Sequence, residues 1–283
     1  MIKLTQKKIQ DAIKKNVEYA LSEDLGNGDL TANMISEEKK ACGLLFANQT
    51  GILCGLDWFN NTYKTLNKKI KIKWHIGDGD FFKKGDKLCE LTGPHHTILQ
   101  GERVAINFLQ TLSAVSTYTN KLTKLISGYP VEIYDTRKTI PGLRIAQKYA
   151  VLVGGGKNQR LGLFDQILIK ENHISAFGTL EKTLLFIKNE KLKDKIQIEV
   201  ESLDELKLAL AYDIENILLD NFSINQIKEA IKINQKKAVL EASGNISEKN
   251  IIQYAKTGVD RISLGSLTKN IEAIDFSVII HSV

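Results

Sequence analysis

Only five of the 39 basic residues in this 283-residue chain are arginine: Arg103, Arg137, Arg144, Arg160 and Arg261. Where lysine otherwise supplies positive charge, an arginine marks a need for the planar fork that grips carboxylate or phosphate, or a structural ion pair. Two of the five sit in polar clusters. Asp135-Thr136-Arg137-Lys138-Thr139 carries an acid, two hydroxyls and two cations in five residues. Gly154-Gly155-Gly156-Lys157-Asn158-Gln159-Arg160 joins a glycine turn, whose backbone only glycine adopts cheaply, to four polar side chains. Further along come Lys170, the pair Glu199 and Glu201, Asp220, Ser243-Gly244-Asn245 and Gly265-Ser266-Leu267-Thr268. Cations of this kind gather anions. Small residues let backbone N–H groups approach a phosphate, although glycines also make ordinary turns. Carboxylates at the same place can stabilise developing positive charge.

The elements that must present these groups are strands. Short apolar segments at 131–134, 166–169, 196–201, 216–219, 238–242 and 261–264 alternate with helical patterns. Such alternation indicates parallel βαβ units. Six strands fit an incomplete α/β barrel better than a complete one, with an open doubly wound sheet as the alternative. Either architecture sets its active site at the C-terminal ends of the strands, where the polar clusters fall. Alternation along a strand sends Glu199 and Glu201 to one face. An inward carboxylate there needs a cation, and Lys170 is a structural candidate for that partner. Gly258 is placed to cap the helix before the last strand.

The first half reads as a small sheet packed on helices. A helix over 6–21 has Ile9, Ile13, Val17 and Leu21 four apart. Strand patterns follow at 41–47, 51–54, 69–76 and 87–91, with Lys83-Lys84-Gly85-Asp86 as a turn between two of them. A helix over about 97–126, begun after Pro94, leads into the alternating half. Apolar residues make up 43% and charged residues 25%, which predicts a folded chain rather than a disordered one. No apolar run approaches the roughly 20 residues of a membrane span. The start, 1–8, is polar and Lys-rich, unlike the apolar core of a leader. Cys42, Cys54 and Cys89 are odd in number and lack CxxC spacing, which fits free thiols in the reducing cytoplasm. The net charge of +6 comes from lysines scattered among acids. Without a basic, aromatic stripe, neither nucleic acid nor membrane is an expected partner.

Several ordered stretches resemble one family, the nicotinate-nucleotide pyrophosphorylases (carboxylating), also called quinolinate phosphoribosyltransferases. They are Glu23-Asp24-Leu25-Gly26 with Gly28-Asp29-Leu30-Thr31, Gly101-Glu102-Arg103-Val104-Ala105-Ile106-Asn107, and Asp135-Thr136-Arg137-Lys138-Thr139 with Pro141-Gly142-Leu143-Arg144. They continue through Gly154-Gly155-Gly156, Leu168-Ile169-Lys170-Glu171-Asn172-His173-Ile174, Glu199-Val200-Glu201-Ser202, Leu219-Asp220-Asn221 and Glu241-Ala242-Ser243-Gly244.

The resemblance implies an N-terminal α/β sandwich domain over 1–112, to which 272–283 return. It implies a C-terminal incomplete α/β barrel of about six strands over 113–271, in a homodimer. The implied reaction moves phosphoribose from phosphoribosyl pyrophosphate to quinolinate with decarboxylation, in de novo NAD biosynthesis. Carried over residue by residue, the catalytic set is Lys138, Lys170, Glu199 and Asp220. Quinolinate would meet Thr136, Arg137, Lys138, Gln159, Arg160, Lys170 and an Arg103 contributed across the dimer interface. Phosphoribosyl pyrophosphate would meet Glu199, Asp220, Ser243, Gly244, Asn245, Ser263, Leu264 and Gly265. Magnesium (Mg2+) would be held mainly by the substrate, with Glu199 and Asp220 as its candidate protein ligands. One departure stands out: Gln159 occupies a place where the family usually carries His, and an amide has no titratable proton. His173 matches the family, with a structural and a catalytic role both open.

Three other readings compete. A relative of the same fold with another acceptor, such as the pyrophosphorylase-like protein found with molybdenum transport, is disfavoured by the complete cation set. A barrel aldolase or isomerase would use Lys170 as a Schiff base, and the many other anion binders speak against it. Residues 69–92 share a hairpin shape with biotinyl- or lipoyl-type modules, without a lysine in the Met-Lys setting those need.

Overall fold

Thr5 accepts the Lys8 N–H and so caps α1 (Gln6–Leu25). The four-residue spacing of Ile9, Ile13, Val17 and Leu21 buries all four along one stripe. The helix continues four residues beyond the expected end and stops at Gly26, whose φ is +49°. A computed structural model describes residues 4–36, 38–190 and 196–282. The expectation of a polar start falls partly on residues 1–3, which lie outside the described residues.

The chain divides into two units. One comprises Leu4–Asn120, Thr139–Gly155 and the chain from Leu267 onward. Its four-stranded sheet has the order β12–β1–β5–β3, from β1 (Lys40–Ala47), β3 (Lys71–Trp74), β5 (Lys87–Pro94) and β12 (Phe276–Ser282), with every pair antiparallel. A ribbon of β2 (Gly51–Ile52) and β4 (Phe81–Phe82) accompanies it. The helices are α1, α2 (Leu56–Leu66), α4 (Arg144–Val153) and most of α3 (His95–Leu125). β1 alternates buried and half-exposed side chains, the signature of a sheet with one face on a core. Leu45, Phe59, Tyr63, Leu88, Leu91, Ile98 and Leu109 are fully buried in that core. Each such side chain contributes about 1.5–3 kcal/mol through burial.

The other unit comprises Lys121–Lys138 and Gly156–Ser266. Its strands are β6 (Glu132–Tyr134), β7 (Ile167–Ile169), β8 (Ile196–Val200), β9 (Asn216–Asp220), β10 (Val239–Ser243) and β11 (Arg261–Ser263). All pair in parallel, in the order β6–β11–β10–β9–β8–β7. The six strands lie where the apolar segments predict them. From β7 to β11 the order runs without reversal, and β6 pairs with the last strand rather than with β7. A doubly wound sheet reverses its order at a switch point, so the barrel reading holds, with the barrel left open between β6 and β7. The helices between strands start on local caps: Thr179 for α6 (Leu180–Asn189), Ser202 for α7 (Leu203–Ala211) and Ser223 for α8 (Ile224–Asn234). Gly258, with φ +88°, ends the turn after α9 (Ile251–Ala255) as predicted.

Candidate active site

Register decides which side chains meet. In β8 all five residues are buried, and alternation turns Gln197 and Glu199 away from the face of Ile196, Ile198 and Val200. Ile169 pairs with Ile198, so Lys170 comes level with Glu199. Glu199 is level with Leu218, Leu218 with Glu241, Glu241 with Arg261, and Arg261 with Glu132. One row across the sheet thus carries Lys170, Glu199, Leu218, Glu241, Arg261 and Glu132. Two residues further toward the strand ends, Asp220, Ser243, Ser263 and Tyr134 form a second row.

Lys170 Nζ donates to the Glu199 carboxylate, which is only 8% exposed. The predicted pair Glu199 and Glu201 differs in setting, although the charges of Glu199 and Asp220 still act on Glu201. The strand ends at Val200, and Glu201 is exposed, its N–H bonded to Glu205 Oε2 at 2.7 Å as Ser202 starts α7. Arg160 is buried and donates to the Gln166 carbonyl at 3.0 Å. Burial, and then the charge of Arg137, lower its pKa, while Asp165 and Glu199 oppose the shift. Two guanidinium groups that repel each other, linked through Glu199 to Lys170, make an electropositive site suited to a multiply charged anion.

Two buried acids hold the turn that delivers Gln159 and Arg160. Asp135, with no exposed surface, accepts the Gln159 N–H at 2.8 Å and the Asn158 side-chain amide at 2.6 Å. Glu241, 1% exposed, accepts the side-chain amides of Gln159 through Oε1 and of Gln197 through Oε2, the latter at 2.9 Å. Burial raises the Glu241 pKa, against the opposing pull of Ser263, Gln197, Arg261 and Gln159. The glycine turn needs its glycines for two different reasons. Gly155 has φ +90°, whereas a Cβ on Gly154 would lie 2.6 Å from Thr119 Cβ. The expectation that all three supply a special backbone is thus corrected, since Gly154 serves close packing.

The late strand ends are loops of close approach. Gly244 has φ +97°, and a Cβ there would overlap the Asn221 side chain. Asn245 donates to that same Asn221 at 3.2 Å, and Asn221 donates to Asp220 at 2.8 Å. A Cβ on Gly265 would stand 2.8 Å from Lys138 Cδ and 3.5 Å from Thr136 Oγ1, so this loop lies against the predicted cations. Ser263 and Leu264 are buried just before it. Lys138 is exposed, with its N–H on Thr136 Oγ1 at 3.0 Å. His173 accepts the Lys170 N–H through Nδ1 at 3.1 Å and so shapes the start of α5 (Glu171–Phe177). This favours its structural role. Arg103 is exposed on α3, in the other unit. The parallel unit thus carries every predicted site residue except Arg103. Asp135, Gln197 and Glu241 escaped as supports. Gln197 and Glu241 lie two residues before Glu199 and Ser243 on the same strands, so strand parity alone would have flagged them.

Among the described residues no group of three or more His, Cys, Asp or Glu is arranged to hold a metal, and no helix is long and apolar enough to cross a membrane. The family model described as quinolinate phosphoribosyl transferase, C-terminal domain, matches residues 115–279, and its N-terminal counterpart matches 29–113. The chain is 38% identical over 276 residues to the probable nicotinate-nucleotide pyrophosphorylase (carboxylating) of Methanocaldococcus jannaschii, covering 94% of this chain and 95% of that one. It is 34% identical over 287 residues to quinolinate phosphoribosyltransferase (decarboxylating) 2, mitochondrial, of Nicotiana glauca, covering 94% and 81%. The solved structure of the nicotinate-nucleotide pyrophosphorylase from Francisella tularensis superposes with a TM-score of 0.91 at 43% identity, over 96% of each chain. With both family domains matched in order and relatives this similar along nearly the whole length, the chain belongs to the quinolinate phosphoribosyl transferase family.

Proposed function

We infer that this chain is a pentosyltransferase that transfers phosphoribose from phosphoribosyl pyrophosphate to quinolinate with decarboxylation. The products are nicotinate mononucleotide, pyrophosphate and carbon dioxide. The observation that carries the reading is the gathering of Arg137, Arg160 and Lys170 beside Glu199 at the strand ends of a family member. Quinolinate has two carboxylates, and planar guanidinium groups suit them. Thr136, Lys138 and Gln159 complete that side of the site. On the other side Glu199, Asp220 and the loops of Ser243, Gly244, Asn245, Ser263, Leu264 and Gly265 take the phosphoribosyl donor.

The bond from the anomeric carbon to pyrophosphate breaks as the pyridine nitrogen bonds to that carbon. Positive charge develops on the ribose ring, where the Glu199 and Asp220 carboxylates stabilise it. The nitrogen is now a pyridinium. Loss of carbon dioxide leaves an electron pair on the adjacent ring carbon, which the pyridinium stabilises until a proton replaces the lost group. Lys138 and Lys170 are the protein's cations for that departing carboxylate. The carboxylates of Glu199 and Asp220 fit a magnesium ion carried mostly by its substrate, since two acids at different strand levels make a sparse protein ligand set. When bound, the ion neutralises the leaving pyrophosphate.

The enzyme acts as a homodimer in the cytoplasm on this reading, each site completed by Arg103 of the partner subunit. The exposure of Arg103 suits that role, and the three free cysteines suit a reducing compartment. The test is direct. Purified protein with magnesium, phosphoribosyl pyrophosphate and quinolinate must yield nicotinate mononucleotide; no product sinks the reading. Arg103→Ala and Lys138→Ala should each be inactive and regain activity in mixed dimers. Verified mixed dimers that stay inactive would refute the shared site.

A further inference from the structure

Glu241 takes no role in the reaction as derived, yet it lies fully inside the parallel unit with both oxygens engaged. Its row neighbour Leu218 is apolar, and Arg261 on the other side has its guanidinium over the Tyr134 ring with the carbon 5.2 Å from the centroid. Burying a carboxylate is costly unless it is hydrogen-bonded. Such a group persists where other groups depend on it. Beside Ser263, which also draws its pKa down, two amides donate to it, Gln197 and, in the turn beside Arg160, Gln159. The Gln159 main chain is held by Asp135, and its side chain by Glu241.

We propose that Glu241 is a positioning residue, which holds the side-chain amide of Gln159 in one set orientation for the pyridine dicarboxylate. The proposal rests on the function inferred above, with quinolinate as acceptor. Three side-chain torsions of Gln159 are set before the ligand arrives, so binding does not have to order them. Both amides donate to the carboxylate, and that requires two acceptor oxygens. A glutamine at the same position has one acceptor and one donor. One of the two amides must then turn round, exchanging N–H for C=O toward its other neighbours. The conservative change therefore alters orientation while preserving volume.

Glu241→Gln should raise the KM for quinolinate about tenfold, with kcat and the KM for phosphoribosyl pyrophosphate changed less than about twofold. In a Gln159→Ala background the same change should leave the quinolinate KM unaltered, because the amide it acts through is gone. Gln197→Met, which spares the Gln159 contact, should leave that KM near wild type. Additive effects of Glu241→Gln and Gln159→Ala, or an effect confined to phosphoribosyl pyrophosphate, would overturn the proposal. A measurement on the wild-type protein guards against misfolded variants. The Gln159 side-chain amide protons, identified in the 15N spectrum by their loss in Gln159→Ala, should be slowly exchanging. Exchange at the rate of a solvated glutamine would also overturn it. A wild-type protein that makes no nicotinate mononucleotide would instead overturn the function reading, and this is seen before any substitution is made.

Discussion

The two units enclose polar side chains and give them different dependants. In the antiparallel unit the dependants are main chain. Thr117 accepts the Ile52 N–H, Ser116 donates to the Ile52 carbonyl, and Ser113 serves both the N–H and the carbonyl of Cys54. Asp78 accepts the N–H groups of Gly55 and Leu56. All of these lie between β2 and the start of α2, where the chain leaves a two-residue strand and has no ladder to pair with. In the parallel unit the dependants are chiefly side chains: Asn158 on Asp135, Gln159 and Gln197 on Glu241, Lys170 on Glu199. Interior parallel strands satisfy their own main chain. Their inward polar side chains are left to hold one another, and a reactive site can be hung on them.

Substitutions can break this distinction. The largest effect is expected at Lys170→Met, which leaves Glu199 buried without its cation and removes a proposed catalytic group. Activity, read as kcat/KM, should fall on the order of 10^3-fold. A loss below about tenfold would mean the buried ion pair serves only the fold. Asp78→Ala is the counterpart in the antiparallel unit. It orphans two N–H groups and the Tyr149 hydroxyl, and should cost about 2–4 kcal/mol in urea unfolding. Activity per folded molecule should stay unchanged. A fall in kcat would erase the difference between the units. Gly265→Ala comes next. Its backbone needs no left-handed conformation, so the added Cβ acts only on the Lys138 stem 2.8 Å away. Activity should drop about tenfold while the unfolding midpoint moves by less than about 1 kcal/mol, since the site is partly open.

These contrasts were unequally legible in the sequence. The six parallel strands announce themselves because strands buried on both faces are short apolar runs between helical patterns. α1 follows from one four-residue spacing. β4 is two residues long and β12 alternates poorly, so neither has a pattern of its own; β12 owes its place to pairing with β1. At the site, residue types at strand ends gave the cations and Glu199. Glu201 misled because the strand stops one residue earlier than the apolar run, where Ser202 caps α7. Asp135 stands in a cluster that the sequence singles out, but its supporting role is hidden, because partners 23 and 24 residues on depend on register. Partners that distance brings together are set by tertiary pairing, which no local spacing encodes.

The smallest expected effect separates the half-buried Asp78 from the buried Glu241 most cleanly. Asp78 Oδ1 accepts both backbone N–H groups, at 2.9 and 3.2 Å, and Oδ2 accepts the Tyr149 hydroxyl at 2.8 Å. An asparagine can keep all three contacts: its carbonyl takes the two N–H groups, and its amide donates to the Tyr149 oxygen. Glu241 allows no such exchange, because amides donate to both of its oxygens. Burial raises the Asp78 pKa above its ordinary 3.8, against the pull of Tyr149, Leu56 and Gly55. The folded protein therefore holds that proton more readily than the unfolded chain does. The stabilisation is complete below 3.8 and is lost as pH rises through the folded-state value. The asparagine variant has no proton to lose. Urea midpoints should accordingly shift in favour of Asp78→Asn as the pH is raised from about 4 to about 8. A gap that stays flat, or moves toward wild type, would mean that its three donors hold Asp78 as a carboxylate. Its chemistry would then match that of the acids in the parallel unit, and only the identity of the dependants would still divide the two.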